Sequence, residues 1–476
     1  MAVTQLKNCV ELPLNNEDLS EIIDKAKDYA LMHGMTMHSN NPFNRNFVRI
    51  SRFTLLPTSF PEKEFLKAKN IQITLNNLIH KVAYDHDFLT STLQSTIKAD
   101  EFTRKLYNIY KTVHKEGYTQ TNSVGLMRSD YLLNGDMKIK QVEFNTISSS
   151  FGGLAPITAK LHKYILTELG HSDKTINIPE NKSINGLAKG LIEAWKLYKN
   201  KEAVILFIVE ENTSNICDQR AFDYVIHEVN PQIKIIRRTF KEIIKQAQLR
   251  PNKELIVGKY LVAVVYYRTG YEAAAYTSED VWSVRLLIEQ SKALKCPSIQ
   301  YQLAGTKKVQ QVLAQPGVLR RFLNEDEATR VREVFTGLYS LDFDELGEQA
   351  IEMAIMEPKK FVMKPQREGG GNNIYGDEIR SKLEAIRNSR DRDAYILMEY
   401  IDAPLQDNYL LGPNDQEPQI QSLISELGIY GIIIGDQNHV SVNEQVGHVI
   451  RSKPFGEDEG GIIAGAGALD SPYLVK

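Results

Sequence analysis

The sequence predicts a mixed α/β protein of two or three domains, and three observations carry this prediction. The chain has 476 residues, which is more than a single hydrophobic core usually holds. Strand-like and helix-like segments alternate between residues 203 and 300, which is typical of a parallel sheet covered by helices. Hydrophobic residues make up 42% of the chain and charged residues 25%, as in an ordinary globular protein.

The first third of the chain is predicted to be mostly helical. Apolar residues recur at helical spacing over residues 16–33, and again within residues 61–116. Strand character first appears at Met137–Phe144, and a glycine-bearing turn at 148–153 follows it.

Residues 203–300 form the predicted small α/β unit. Its predicted strands are Val204–Val209, Ile233–Ile236 and Leu261–Tyr267, and its predicted helices are 218–229 and 278–294. Ligands of such sheets bind at the carboxyl ends of the strands, where Glu210-Glu211-Asn212 and Arg268-Thr269-Gly270 stand.

Helices are predicted after residue 305, and strands return near the C-terminus. The predicted elements there are a strand at Lys360–Lys364, a helix at 378–389, and strands at Tyr395–Met398, Ile429–Ile434 and 440–450. A glycine- and alanine-rich segment, Gly456–Gly467, lies near the end of the chain.

Charge and composition exclude several classes of function. A net charge of −3 gives no electrostatic reason to expect a nucleic-acid or membrane partner. No apolar run approaches the roughly 20 residues that a membrane span needs. Three widely spaced cysteines, at positions 9, 217 and 296, are expected to be reduced thiols, so a cytoplasmic location is expected.

A lysine, a glutamate and a glycine triplet share one loop, Lys364-Pro365-Gln366-Arg367-Glu368-Gly369-Gly370-Gly371-Asn372-Asn373. Glycines let the backbone close over a ligand with its N–H groups, while the lysine supplies a cation and the glutamate can hold a metal. This order matches neither the P-loop nor the dinucleotide fingerprint. The loop therefore predicts nucleotide phosphates bound from above, although a glycine triplet alone is more typical of a flexible turn.

Glu143 and Asn145 stand two apart on the predicted strand, so their side chains share one face. A carboxylate and an amide oxygen suit Mg²⁺, and Glu368 is the predicted third ligand. Taken alone, the pair is equally typical of the polar face of an edge strand.

Several cationic side chains are candidates for binding phosphate or carboxylate groups. Arginine binds carboxylates in bidentate fashion, although each candidate alone is more typical of a surface ion pair. The candidates are Arg128, Arg268, Lys307, Arg451 and Lys453.

Taken together, these segments resemble the eukaryotic glutathione synthetase family of the ATP-grasp superfamily over most of the chain. The blocks that carry the resemblance, in order, are Val142–Ser148, Asp218–Ala221, Gln302–Gln311, Lys364–Tyr375, Ser425–Ile429 and Val446–His448.

The resemblance implies an ATP-grasp fold and a homodimer. Residues 1–202 and 301–476 would form the ATP-grasp body, with a lid over about 340–415, and residues 203–300 the substrate-binding domain. The implied reaction joins γ-glutamylcysteine to glycine, with ATP as co-substrate and Mg²⁺ as cofactor, and gives glutathione, ADP and phosphate.

The resemblance also implies roles for individual residues. The implied catalytic residues are Arg128, Lys364 and Arg451, and the implied metal ligands are Glu143, Asn145 and Glu368. The implied ATP-binding residues are Arg128, Glu143, Lys307, Lys364, Gly369, Gly370, Gly371, Asn373, Tyr375, Met398, Glu399, Ile401, Glu426, Lys453 and Glu459. The implied residues for dipeptide and product are Arg128, Ser148, Ser149, Ser150, Thr213, Asn215, Gln219, Arg268, Tyr271, Arg451, Ile462 and Ile463.

Two positions depart from the family pattern. Thr213 stands where the family has a glutamate near the dipeptide amine, and either Glu210 or Glu211 could substitute for it. The last glycine-rich loop has Ile463-Ala464 where the family has Ala-Ala and where related legume homoglutathione synthetases, which accept β-alanine, have Leu-Pro. Because proline would fix the backbone and Ala464 does not, glycine is the expected acceptor.

Two other classes of function remain open on the residues alone. A small-molecule kinase would release ADP without any amine, and an inactive ATP-binding scaffold would show no turnover. The presence of Glu143, Asn145, Lys364 and Glu368 argues against the scaffold.

Overall fold

The computed structural model describes residues 4–40, 43–367, 371–413, 418–458, 460–463 and 465–476. Helices and several sheets alternate along the chain, so the predicted α/β class is confirmed. The helices are α1 (Asn16–Met32), α2 (Glu62–Tyr84), α3 (His86–Leu93), α4 (Thr96–Ala99), α5 (Glu101–Glu116), α6 (Ala155–Glu168), α7 (Ser183–Leu197), α8 (Ile216–Val229), α9 (Phe240–Gln246), α10 (Glu279–Glu289), α11 (Ile299–Ala304), α12 (Lys307–Leu313), α13 (Glu325–Val334), α14 (Glu345–Met356) and α15 (Asp377–Ile386).

Within the described residues, the strands form three larger sheets and two small ones. They are β1 (Thr36–Asn40), β2 (Phe43–Ile50), β3 (Phe53–Thr54), β4 (Thr58–Pro61), β5 (Ser123–Leu133), β6 (Ile139–Asn145), β7 (Val204–Ile208), β8 (Ile235–Arg238), β9 (Ala247–Leu249), β10 (Leu255–Val257), β11 (Tyr260–Tyr267), β12 (Leu294–Cys296), β13 (Leu338–Ser340), β14 (Phe361–Pro365), β15 (Ile374–Tyr375), β16 (Tyr395–Glu399), β17 (Gln406–Leu411), β18 (Ile420–Gly435), β19 (Val440–Pro454), β20 (Ala468–Asp470) and β21 (Pro472–Val475).

The central sheet has seven strands in the order β17-β3-β20-β19-β18-β5-β6. Its two long strands, β18 and β19, pair antiparallel, and β5 pairs with the other edge of β18. A helix covers each face: Gly431 lies against Asn76 of α2, while the next residue, Ile432, lies against Gly190 of α7. Neighbouring residues of a strand point to opposite faces, so this sheet is buried on both sides.

The second sheet, of six strands, takes all its strands from residues 204–296. Strands β8, β7, β11 and β12 are parallel, as the alternating pattern predicts, whereas β9 and β10 extend one edge antiparallel. The buried strands β7 and β11 bring Glu210 and Arg268 to the same carboxyl edge.

The third sheet has four antiparallel strands in the order β13-β16-β14-β15. It has its own small hydrophobic core with α14 and α15, built around Ile351, Met363, Leu383 and Leu397. Strand β14 delivers Lys364 from this sheet toward the central one.

Most predicted elements are confirmed, but two have different bounds and several strands were not predicted. The predicted helix 278–294 ends at Glu289, and the chain then forms β12, where Lys295 is buried and donates to the carbonyl of Glu289. Strand β18 begins at Ile420, nine residues before the predicted start at Ile429. The prediction placed the start too late because polar residues precede the apolar run. Strand character was expected to appear first at Met137, but β1 to β5 precede that residue and were not predicted.

No helix in the described part of the chain has the length and apolar character needed to cross a membrane. The three cysteines are unpaired thiols, as predicted.

Candidate active site

The predicted charged residues meet on four neighbouring strands of the central sheet. Arg451 on β19 lies opposite Glu426 on β18, and Arg128 on β5 lies opposite Asn145 on β6. Because β18 also pairs with β5, these four side chains share one face of the sheet. The structure therefore brings together residues that are more than 300 positions apart in the chain.

Asp130 stands at the centre of this face, although no pattern in the sequence marks it as a site residue. Its carboxylate accepts from Arg128 Nε at 2.6 Å and Arg128 Nη2 at 2.7 Å, and from Asn145 Nδ2 and Arg451 Nη2 at 3.0 Å each. Arg451 also donates to Glu426. Burial raises the pKa of Asp130 above its usual value, while both guanidinium groups oppose that rise.

Glu143 is held ionised by the cations around it. Burial alone would raise its pKa, but Lys307, Lys364 and two arginines outweigh burial and hold the pKa well below its usual value. Asn145 Nδ2 donates to Glu143 Oε1 at 3.2 Å and to Asp130, so its amide oxygen is left for another partner.

These two oxygen donors fit the chemistry of Mg²⁺, which prefers hard ligands. No group of three His, Cys, Asp or Glu side chains that could hold a metal occurs among the described residues. The predicted third ligand, Glu368, lies outside the described residues, so the set is not complete within them.

Gln310 brings the start of α12 against the end of β6. Its amide accepts from the Phe144 N–H at 2.8 Å and donates to the Gly305 carbonyl at 2.8 Å. A side chain at Gly305 would approach Thr146 Oγ1 to 2.3 Å, so only glycine permits this contact. Lys307, the first residue of α12, thereby lies close enough to Glu143 to affect its pKa.

Lys364 joins the third sheet to the central sheet. Its side chain is 4% exposed, and Nζ donates to the Val142 carbonyl at 3.0 Å, next to Glu143. Lys307 donates to the backbone carbonyl of Arg367 in the glycine loop. Both lysines therefore lie where that loop approaches Glu143.

The glycine loop is described at its two ends. Arg367 pairs with the buried Asp100, which also caps α5, and Asn373 Nδ2 donates to Tyr375 OH at 3.3 Å. Gly371 has a positive φ of 91°, which favours glycine. The predicted phosphate-binding residues Gly369 and Gly370 lie outside the described residues.

Three of the predicted ATP-binding residues, Met398, Glu399 and Ile401, lie at the end of β16 or just beyond it. Met398 and Ile401 are buried, and Met398 pairs with Val362 of the strand that carries Lys364. The side chain of Glu399 is exposed and accepts from Tyr339 OH at 2.7 Å and from the Gly337 N–H at 3.2 Å.

The serine loop 148–150 lies beside Arg128 and is strained. Ser148 and, just beyond the loop, Phe151 have positive φ values of 54° and 73°, which cost energy for residues other than glycine. Asp218 holds the loop's end by accepting from the N–H groups of Phe151 at 2.8 Å and Gly153 at 2.7 Å. Such strain, fixed by a buried carboxylate, is typical of a ligand-binding loop.

Arg268 and Gln219 are linked to this loop through hydrogen bonds. Arg268 donates to Ser150 Oγ at 2.7 Å and to the Ser149 carbonyl at 3.1 Å. Gln219 donates to Asn215 Oδ1 at 2.8 Å, and Asn215 in turn donates to Ser150 Oγ at 3.4 Å. The predicted substrate residues on both sides of the loop therefore form one hydrogen-bonded set.

Glu210 lies at the rim of this set and Thr213 beside it. Among the described residues, Thr213 Oγ1 donates to the Glu210 carbonyl at 3.3 Å, while Glu210 Oε1 accepts from Tyr271 OH at 3.3 Å. Burial raises the pKa of Glu210, and Arg268 opposes this rise. Glu211 pairs instead with Lys241 on the exposed surface.

The last glycine-rich loop folds tightly back on itself. Gly461 O accepts from the N–H groups of Gly465, Ala466 and Gly467 at 3.1–3.2 Å, and Arg52 donates to the Gly465 carbonyl at 2.6 Å. Ile462 is buried, whereas Ile463 is 39% exposed.

Lys453 marks where this loop meets the central sheet. It donates to the Asp458 carbonyl at 2.8 Å, and Gly460 packs beside its aliphatic stem. Glu459 lies outside the described residues.

Sequence reasoning missed three residues that organise the site. Asp130 lies two residues after Arg128 on β5, so both side chains are on the same face of the strand. This spacing indicates a site residue only when the segment is known to be a strand. Asp218 stands beside Gln219 in a block that the resemblance already marked. Tyr430 OH donates to the Ser150 carbonyl at 2.5 Å. Its position in the apolar run of a strand predicts only a core residue.

Comparisons with known proteins agree with one another. Residues 16–474 match the family model described as eukaryotic glutathione synthase, ATP binding domain. The chain is 42% identical to glutathione synthetase of Homo sapiens over 468 residues, covering 97% of this chain and 98% of that protein. It is 40% identical to glutathione synthetase of Xenopus laevis over 464 residues (96% and 97%), and 39% identical to the chloroplastic glutathione synthetase of Arabidopsis thaliana over 473 residues (97% and 86%).

A solved structure has the same fold. It is the apo form of a glutathione synthetase-like effector from Globodera pallida, with a TM-score of 0.79 and 25% identity, covering 98% of this chain and 100% of that one.

Proposed function

The chain belongs to the eukaryotic glutathione synthase family, and from this premise we propose that it joins γ-glutamylcysteine to glycine at the expense of ATP, giving glutathione, ADP and phosphate. The observation that carries the proposal is the meeting of Arg128, Arg451, Glu143 and Lys364 beside the strained serine loop. This arrangement offers cations for phosphate and carboxylate groups, together with the Glu143 carboxylate and the Asn145 amide oxygen for a metal.

The reaction needs an activated carboxylate. The cysteinyl carboxylate of the dipeptide attacks the γ-phosphorus of ATP, forming an acyl phosphate and releasing ADP. The glycine amine then attacks the acyl carbon, a peptide bond forms, and phosphate leaves with one oxygen of the original carboxylate. Charge neutralisation and positioning supply most of the catalysis of phosphoryl transfer, so the protein needs no nucleophile of its own.

Each side-chain group has a part in this proposal. Arg128, Lys364 and Arg451 neutralise the transferring phosphoryl group and the carboxylate. Glu143 and Asn145, with Glu368, would hold Mg²⁺, which would shield the phosphate oxygens. Serine-loop residues, with Asn215, Gln219 and Arg268, bind the dipeptide.

The remaining ATP contacts come from three parts of the chain. In this proposal Gly369, Gly370 and Gly371 cover the phosphates, with Lys307, Asn373, Tyr375, Glu426, Lys453 and Glu459 around them. Met398, Glu399 and Ile401 surround the adenine.

We also propose the division into domains that the resemblance implies. Residues 203–300 would be the substrate-binding domain and residues 340–415 the lid within the ATP-grasp body. Support comes from the second and third sheets, each of which draws its strands from one continuous stretch of chain. Closure of the lid would exclude water, which would otherwise hydrolyse the acyl phosphate.

A homodimer and a cytoplasmic location complete the proposal. Among the described residues, β2 pairs only with β1, and it leaves Phe47 and Val48 exposed, which would suit contact with a second copy. Three unpaired cysteines suit a reducing compartment. Sedimentation and cell fractionation test these two points.

Omission of single components from an ADP-release assay separates the ligase from its rivals. We expect sustained release only when ATP, Mg²⁺, dipeptide and glycine are all present. Equal release without any amine would assign a kinase or an ATPase, and no release at all would assign a scaffold.

Glu210 is proposed to bind the ammonium group of the dipeptide, because Thr213 carries no charge and Asp218 already has three donors around it. We expect Glu210→Gln to lower kcat/KM for γ-glutamylcysteine about tenfold or more, since the ammonium group loses its anionic partner and keeps only a neutral acceptor. Glutarylcysteine, which lacks the ammonium group, should be a poor substrate of the wild type and should lose little further in the variant. An equal loss for both substrates would remove Glu210 from this role, and Glu211→Gln is the matched control.

Glycine is predicted to be preferred over β-alanine. Ile463 is partly exposed, so its bulk does not have to narrow the acceptor pocket, and one methylene changes binding by only about 1–3 kcal/mol. Competition between the two acceptors at equal concentration checks this prediction by mass spectrometry. A majority of the β-alanine product would overturn it, and reversal by Ile463→Ala would identify the cause.

A further inference from the structure

A single buried carboxylate connects two arginines and an asparagine on the catalytic face of the central sheet. Asp130 is 0% exposed and accepts four hydrogen bonds, from Arg128, Arg451 and Asn145. We propose that Asp130 is a positioning residue of the reaction, one that aims both arginines and sets which way the Asn145 amide points. The inference rests on the proposed function, since it concerns the same site.

The arginines need Asp130 because they would otherwise repel one another. Arg128 meets Asp130 through two parallel N–H···O bonds, a geometry that fixes the plane of the guanidinium group. Arg451 reaches the same carboxylate from the other side of β18, with Glu426 as its second partner. Asp130 thus holds the guanidinium groups of Arg128 and Arg451 close together. By fixing their orientation, it also sets the direction of their other N–H groups.

The direction of Asn145 follows from the fact that an ionised carboxylate only accepts hydrogen bonds. Its Nδ2 donates to both Asp130 and Glu143, at 3.0 and 3.2 Å, and turning the amide over would set its oxygen against two anionic oxygens. The amide oxygen therefore points away from both carboxylates, where it can serve a cation. Asp130 thus orients a metal ligand without binding the metal.

The strand on the other side of Asp130 is adapted to this arrangement. Gly428 of β18 lies opposite Asp130, and a side chain there would come within 2.9 Å of Asp130 Oδ1 and 2.8 Å of Arg128 Cδ. A glycine in the middle of a buried strand weakens that strand. Gly428 therefore has another role here, which is to leave room for the ion pair of Arg128 and Asp130.

The test compares Asp130→Asn and Asp130→Glu with the wild type. Asparagine has the same shape, but its NH₂ group opposes the arginines and lets Asn145 turn over; glutamate keeps the charge and moves it by one methylene. We expect either variant to lose about 10–100-fold in kcat, and to bind Mn²⁺ more weakly in the presence of ADP, as measured by electron paramagnetic resonance. Asp136→Asn, an exposed aspartate in the β5–β6 turn, is the matched control.

The Mn²⁺ titration needs no turnover, so it is independent of which reaction the enzyme catalyses. A merely structural role would lower the thermal midpoint but leave the kcat and the Mn²⁺ affinity of the folded fraction unchanged, and this outcome would overturn the proposal. If Asp130→Asn does not fold, Asp130→Glu decides alone: wild-type kcat and Mn²⁺ affinity in that variant reject the positioning role.

Discussion

Glu143→Gln is expected to lower kcat on the order of a hundredfold or more, while the protein stays folded. A catalytic metal supplies several kcal/mol of charge stabilisation, and this substitution removes a charged ligand from the proposed Mg²⁺ site. The pKa of Glu143 is held low by Lys307, Lys364 and two arginines, so the side chain is an anion over the whole working pH range. Glutamine keeps the shape and the bond from Asn145 but loses that charge.

Titration of kcat with Mg²⁺ is the measurement for this prediction. Glu333→Gln is a matched control, because Glu333 is 54% exposed and pairs with Lys67 at the surface. If Glu143→Gln reaches near wild-type kcat at saturating Mg²⁺, Glu143 does not belong to the metal site.

Lys364→Met is expected to reduce kcat/KM for ATP by about a hundredfold. Methionine keeps the length and apolar stem of the side chain, so the packing at the end of β14 is retained. What is lost is a preorganised cation, and removal of one such donor typically costs a hundredfold to a thousandfold. Stopped-flow measurement of ADP formation separates loss of binding from loss of phosphoryl transfer.

Lys360 provides the control for Lys364. It stands four residues earlier in the chain, its side chain is 66% exposed, and it pairs with Glu357, so Lys360→Met should leave ATP use unchanged. Unchanged ATP kinetics in Lys364→Met would remove this lysine from the phosphate site and would restrict it to its contact with the Val142 carbonyl.

Local patterns in the sequence predicted many of the elements but not their pairing. The short apolar run before Lys364 marks the end of β14, and the two-residue spacing of Glu143 and Asn145 marks one face of β6. Strand β5 was not predicted because it shows no alternation of polar and apolar residues. Ten of its eleven residues are buried, and Arg128, Ser129 and Asp130 are among them. Buried polar residues read as surface when only the sequence is known.

The candidate site, too, could be predicted from the sequence only in part. Roles for individual residues came from the resemblance to the family, since charge and spacing alone left each residue open to an ordinary explanation. The hydrogen bonds of Asp130 join β5, β6 and β19, and the register between those strands is set by packing that no local pattern contains. The positive φ values of Phe151 and Ser148 likewise depend on tertiary contacts, since the Phe151 N–H donates to Asp218 and Ser148 Oγ donates to the Tyr267 carbonyl.

One measurement tests the proposed ligase reaction most directly. Wild-type protein is incubated with Mg²⁺, ATP, glycine and γ-glutamylcysteine whose cysteinyl carboxylate carries ¹⁸O in both oxygens. The masses of all products are then measured by mass spectrometry. We predict glutathione that has lost one ¹⁸O, and inorganic phosphate that has gained it, because the acyl phosphate transfers that oxygen. Phosphate without ¹⁸O, or a phosphorylated dipeptide that persists with glycine present, would contradict the proposed ligase reaction.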